Sequence, residues 1–218
     1  VLDLHALQEM GLDLLVEKND GLAELNLSGL EKVGGNVAVG DEVQSISLSK
    51  LEEVGRSVSG LALAGDLDLP WNALDAEGLA ALETVHGAMN IGLIENLGAL
   101  RLHKLEKVGP HPWTDGHKGL TLHGIGTMSG ALPQLSELGR LWIYGNSFTA
   151  LDFSALETIH DNFTMTANNQ LNVMDFPALT ALGGDLILAE HQTEGSLALL
   201  SGQGGQNGGF RSDLVLTG

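Results

Sequence analysis

The sequence predicts an all-β protein, a three-sided single-stranded parallel β-helix of about eight rungs of 21–23 residues. Three observations predict it. A short motif of Leu, two residues, then Val, Ile, Leu or Met opens at Leu7, Leu30, Leu51, Leu82, Leu105, Leu135, Leu156 and Leu179, at spacings of 23, 21, 31, 23, 30, 21 and 23 residues. Further short runs alternate apolar with polar residues after the motif, which is the period of a strand with one buried face. With about 22 residues per unit, each of three sides has about six or seven, too few for a helix followed by a strand and two turns.

The elements follow in order around one rung. The Leu motif supplies the first side. The second side is an apolar pair separated by one residue: Val37 and Val39, Met89 and Ile91, Phe163 and Met165, Leu186 and Leu188. The third side is another pair that leads into the next Leu: Ile46 and Leu48, Leu100 and Leu102, Leu151 and Phe153, Met174 and Phe176. One such rung cannot bury its inner face, but stacked rungs share a continuous core. At about 4.8 Å per rung, eight rungs form a rod of roughly 40 Å. Aromatic residues are only 4% of the chain, as a narrow coil filled by Leu, Val, Ile and Met requires. Gly34, Gly35, Gly55, Gly87, Gly109, Gly139, Gly183 and Gly184 fall just after the first apolar pair, at a corner that calls for positive φ or close backbone approach. His86 and His160 stand at that corner where other rungs have glycine. A leucine-rich horseshoe, with one strand and one helix per repeat, is the alternative at this repeat length. The segment LSELGRLWIYGN at 135–146 nearly fits its pattern, but the short turns rich in Gly and Asn favour three strands.

The two long spacings contain inserts. One lies near 65–78, GDLDLPWNALDAEG, and carries Asp66, Asp68, Trp71, Asp75 and Glu77; the other lies near 109–119, GPHPWTDGHKG, and carries His111, Trp113, Asp115 and His117. Loops that project from a rigid stack are where binding residues are expected. Trp71, Asp66, Asp68, Asp75, Trp113 and Asp115 are therefore the candidate ligand-binding residues, and His111, His117 and Asp115 the candidate metal ligands. Each Trp has a structural alternative, folding back as a lid over the coil. The repeat domain spans 1–191, and a glycine-rich irregular rung or cap spans 192–218.

Composition limits the function. The 28 Asp and Glu against 10 Lys and Arg give a formal charge of −18, spread along the chain. This disfavours nucleic acid and anionic membrane surfaces as partners. With no cysteine, disulfides, thiolate metal sites and a cysteine nucleophile are excluded. No apolar stretch is long enough to cross a membrane as a helix, and VLDLHALQEM at 1–10 lacks the basic start and apolar run of a signal peptide. Calcium is the cation that the carboxylate and Asn content would accommodate. Stacking is expected to bring Glu31 near Glu52 and Glu83 near Glu106, although no calcium-loop motif is present. No nucleophile elbow, phosphate loop, dinucleotide fingerprint or HExxH occurs, and no catalytic residue is assigned.

The rung pattern L-x-x-[VI]-x-G-x-[LVF]-x-[IVM]-x-x-N-x-x-L-x-x-L resembles the receptor L domain, and in particular the rungs of fungal GPI-anchored cell-wall proteins and their bacterial relatives. The clearest matches are LETIHDNFTMTANNQLNVMDFPALTALGGDLIL at 156–188 and LEKVGGNVAVGDEVQSISLSKLEEV at 30–54. The resemblance implies a right-handed coil that is extracellular or in the cell envelope, and that binds, adheres or supports a wall without catalysis. Receptor L domains close their ends with cysteine-rich modules, so growth-factor binding is not carried over to this cysteine-free chain. The functional expectation is a non-enzymatic surface or secreted protein whose partner is a glycan or a cell-surface protein. The alternative is a carbohydrate-active enzyme working beside the 65–78 insert.

Overall fold

The structure, a computed structural model, describes residues 1–40, 42–58, 61–63, 65–69, 71–75, 77–93, 100–109, 118–126, 132–147, 150–171, 173–189 and 214–217. Among them the chain is all-β, a parallel solenoid with three sides. It has no α-helix among the described residues, and only Trp71–Ala73 forms a 3-10 turn. The horseshoe, which needs a helix in each repeat, is thereby set aside. Among the described residues no helix is long and apolar enough to cross a membrane.

The Leu motif builds an eight-stranded sheet. Its strands are Glu9–Met10, Lys32–Val33, Glu53–Val54, Thr84–Val85, Lys107–Val108, Glu137–Leu138, Thr158–Ile159 and Ala181–Leu182. Each begins two residues after one of the eight opening leucines. Leu30, Leu51, Leu82, Leu105, Leu135 and Leu156 are fully buried, and burying each such side chain contributes about 1.5–3 kcal/mol.

The second side is a nine-stranded parallel sheet: Leu14–Val16, Val37–Val39, Leu67–Asp68, Met89–Gly92, Leu120–His123, Leu141–Tyr144, Phe163–Thr166, Leu186–Ala189 and Leu214–Thr217. Both members of the apolar pairs Val37 and Val39, Met89 and Ile91, and Phe163 and Met165 are buried, as their alternation predicts. The third side is interrupted. Leu2–Asp3, Glu24–Asn26 and Ser45–Ser47 form one parallel sheet, an isolated bridge joins Ile46 to Leu74, and Ala150–Asp152 pairs with Val173–Asp175.

The extra residues of the long third repeat lie earlier than 65–78. Arg56–Val58 and Leu61–Leu63 form an antiparallel hairpin, the only antiparallel pairing among the described strands. Leu67 then enters the nine-stranded sheet between Val37 and Met89. The alternation of Leu61 and Leu63 is indistinguishable in sequence from that of a rung strand, which is why the hairpin is not evident there. In the second long repeat, residues 110–117 lie outside the described set. From the terminal segment 192–218 only Leu214–Thr217 is described, as a strand in register with Leu186–Ala189.

The corners are held by different means. Gly55 and Gly109 adopt φ of 83° and 57°. At Gly139 close approach decides instead, because a Cβ there would run into the carbonyl oxygens of Gly109 and Lys118. Beyond the nine-stranded sheet, Leu93, Gly124, Gly145 and Ala167 form a column with φ of 57°, 60°, 63° and 54°. Just after that column Asn146 and Asn168 are buried and stacked. Asn168 Nδ2 donates to the carbonyls of Ile143 and Thr166 at 3.0 and 2.9 Å, while its Oδ1 accepts from the backbone N–H and Nδ2 of Asn146 at 3.1 and 2.9 Å. This ladder satisfies backbone groups that the turn takes out of the strands.

Candidate binding site on the nine-stranded sheet

Strands that alternate inward and outward present two outward columns on this sheet. Register sets Asn90 beside Thr121, Thr121 beside Trp142 and Trp142 beside Thr164 in one column; it sets Gly92 beside His123, His123 beside Tyr144 and Tyr144 beside Thr166 in the other. Three rings thus meet on the outer face. The His123 and Tyr144 rings stack with centroids 5.1 Å apart and planes 6° from parallel, and Trp142 lies 4.9 Å from Tyr144 at a tilt of 38°. Trp142 is 39% exposed, unusual for so large an apolar side chain. The Arg140 guanidinium sits 5.5 Å from the centroid of the Trp142 ring and holds it by cation–π attraction. Gly92 makes room for this platform: a Cβ there would run into the His123 imidazole.

The platform borders a cleft of about 580 Å³ at the corner between the nine-stranded sheet and the third side. His123, Asn90, Gly92 and Asp68 line it from the sheet; Val43, Gln44, Leu69, Trp71 and Ala73 line it from the opposite wall. Leu93, also at the rim, is a bulky residue in the left-handed region with its side chain 81% exposed. Such a conformation costs about 1–2 kcal/mol, and little apolar burial offsets it here. Lys18, Arg101 and Ala167 also adopt this conformation.

The residues singled out from sequence are dispersed. Asp68 faces outward into the cleft, and Trp71 lines it as a nearly buried wall, 8% exposed, so the lid alternative describes its packing. Asp66 belongs to the corner: its N–H donates to Asn36 Oδ1 at 2.9 Å, its Oδ1 accepts from the Ala88 N–H at 2.8 Å, and Lys118 Nζ donates to both carboxylate oxygens at 2.7 and 2.8 Å. A carboxylate so engaged is a structural tie. Asp75 caps its own turn, accepting from the N–H groups of Glu77 and Gly78 at 3.1 Å each. It borders a smaller groove of about 180 Å³ on the third side with Asp3 and Glu24. His111, Trp113, Asp115 and His117 lie outside the described residues.

Two carboxylates on the eight-stranded sheet are held by matching partners. Lys32 Nζ lies 3.7 Å and His86 Nε2 2.8 Å from Glu53; Lys107 Nζ lies 2.8 Å and His160 Nε2 2.7 Å from Glu137. In both cases three successive rungs supply Lys, Glu and His. Burial pushes the Glu137 carboxyl up, but hydrogen bonds and attraction from Lys107 and His160 outweigh it and hold the group below its ordinary value. The glutamates after the opening leucines do form a column: the N–H of Glu52 donates to Glu31 O at 2.8 Å, Glu83 to Glu52 at 2.9 Å and Glu106 to Glu83 at 2.9 Å. Among the described residues no three His, Asp or Glu side chains converge to hold a metal ion.

Fold and platform together define a parallel β-solenoid repeat protein with an aromatic outer face. Neither family models, curated proteins nor solved structures give a match to the chain.

Proposed function

We propose that the protein is a non-enzymatic binding module of the cell surface or extracellular space, and that its ligand is a linear glycan. The observation that carries this reading is the stacked, partly exposed strip of His123, Tyr144 and Trp142 beside a polar cleft. A pyranose ring has an apolar C–H face and a hydroxyl rim. The exposed Trp142 ring beside the stacked His123 and Tyr144 rings, bordered by Asn90, Gln44 and Asp68, offers both counterparts. The strip stands on a hydrogen-bonded sheet, so little ordering entropy is lost on binding. The likeness of the rungs to receptor L domains and fungal cell-wall proteins supports a place outside the cytoplasm. Among the described residues of the cleft lining Asp68 is the one carboxylate, whereas glycoside hydrolysis ordinarily uses two, about 5–9.5 Å apart.

A glycan array on wild type and Trp142→Ala, with a reducing-end assay on every hit, tests the reading. The expected result is a hit weakened at least about tenfold by the substitution, the size of effect for a ring that anchors an interface, with no new reducing ends. Hits indifferent to Trp142, an empty array, or hydrolysis of the hit would overturn it.

A further inference from the structure

The glycan-binding reading leaves the sugar class open, and the charges around the cleft narrow it. We propose that the ligand carries free amines, as in a linear glucosamine polymer, and lies along the solenoid axis with its rings on the aromatic strip and an amine at Asp68. The inference rests on the reading above and adds three observations to it.

The first is the shape of the open track. Asp68, Gly92, His123 and Tyr144 come from four successive strands of the nine-stranded sheet. At about 4.8 Å per strand they cover roughly 14 Å along the axis, a length suited to a few linked sugar rings. Thr121, in the neighbouring column, is nearly covered, so the accessible path runs over Gly92 and His123. Gly92 contributes no side chain, and the imidazole lies across it.

The second is local charge. Among the described residues Asp68 is the only acidic side chain lining the cleft, and no Lys or Arg lines it. Among the described residues it has no ion-pair partner, in contrast to Asp66, which Lys118 engages. An ammonium group reaching Asp68 would form a charge-assisted hydrogen bond, stronger than a neutral one. Arg140 stands at the other end, against Trp142.

The third is the field of the molecule. A formal charge of −18 with an even spread attracts a polycation and repels polyuronates or sulfated glycans. That attraction weakens as salt screens it.

Calorimetric titration with hexamers of β-1,4-linked glucosamine, N-acetylglucosamine and glucose tests the inference, at low and at physiological ionic strength below pH 6.5. Glucosamine hexamer is expected to bind at least about tenfold more tightly than the other two, with an advantage that shrinks in salt. Asp68→Asn should remove that advantage, weakening glucosamine hexamer at least about tenfold more than the neutral hexamers, and Trp142→Ala should weaken all three. Thermal unfolding of both variants confirms that they are folded. Equal binding of the three hexamers, or a preference that survives Asp68→Asn, overturns the amine assignment while glycan binding stands. No binding of any hexamer by wild type, with binding of an unrelated glycan on the array, also overturns it; an empty array removes the glycan reading as well.

Discussion

Asn168 shows how a single polar residue holds this coil together. It is fully buried and its side chain makes four hydrogen bonds, two donated to backbone carbonyls and two accepted from Asn146. Asn168→Ala strands the Ile143 and Thr166 carbonyls and the donors of Asn146. Each buried polar group left unpaired costs about 1–3 kcal/mol, with partial relief from entering water. The variant should lose roughly 2–4 kcal/mol of unfolding free energy, measured by chemical denaturation, whereas Asn19→Ala, at an exposed turn, should lose under about 1 kcal/mol. Leu93 is the opposite kind of residue, exposed and strained. Its column holds Gly124, Gly145 and the small Ala167, so Leu93 is the one bulky side chain among its described members.

At the scale of elements, the Lys–Glu–His sets tie three strands of one sheet through one carboxylate. Glu137 has its folded pKa below the ordinary 4.5. It therefore contributes stability that is fully present above 4.5 and is lost as pH falls through the depressed native value. Glu137→Gln should accordingly be less stable than wild type near neutrality, by on the order of 1 kcal/mol. The difference should close on acidification below 4.5, and denaturation midpoints across that range check the sign. The strands joined by this set were legible in the sequence, because each opening Leu and the residue three places on are both core positions. Spacing alone could not separate a hairpin from a rung, so the strand at Leu67 reads as part of a loop. The aromatic platform was hidden for a related reason. Trp142 and Tyr144 occupy the outward places of an alternating strand, and His123 comes from a neighbouring rung 21 residues from Tyr144. Only the parallel register brings the rings together. The exposed Trp in LWIY was the available sign: a large apolar residue in the phase that faces solvent. Asp68 was identifiable as an acid near a Trp, but its separation in role from Asp66 depends on Lys118, 52 residues away.

At the scale of the molecule, the three sides divide the work. The inner faces supply a continuous Leu-rich core, and the corners satisfy backbone groups through glycine, Asn and Asp. The eight-stranded sheet spends its outer charges on internal ties, while the nine-stranded sheet carries the exposed aromatic strip. Rungs contact mainly their neighbours, so stability spreads along the stack and one face can present binding groups without disturbing the core. The even negative charge belongs to this scale as well: it coats a rod and acts on any charged polymer that approaches. The central claim is that one particular face binds. Backbone amide shifts recorded while the array's best glycan is titrated into isotopically labelled protein test it most directly. Changes should cluster at Asp68, Asn90, Gly92, His123, Trp142 and Tyr144, with the eight-stranded sheet silent. Changes centred on the strands Lys32–Val33 to Ala181–Leu182 of the eight-stranded sheet, or on the groove around Asp3, Glu24 and Asp75, would contradict the account.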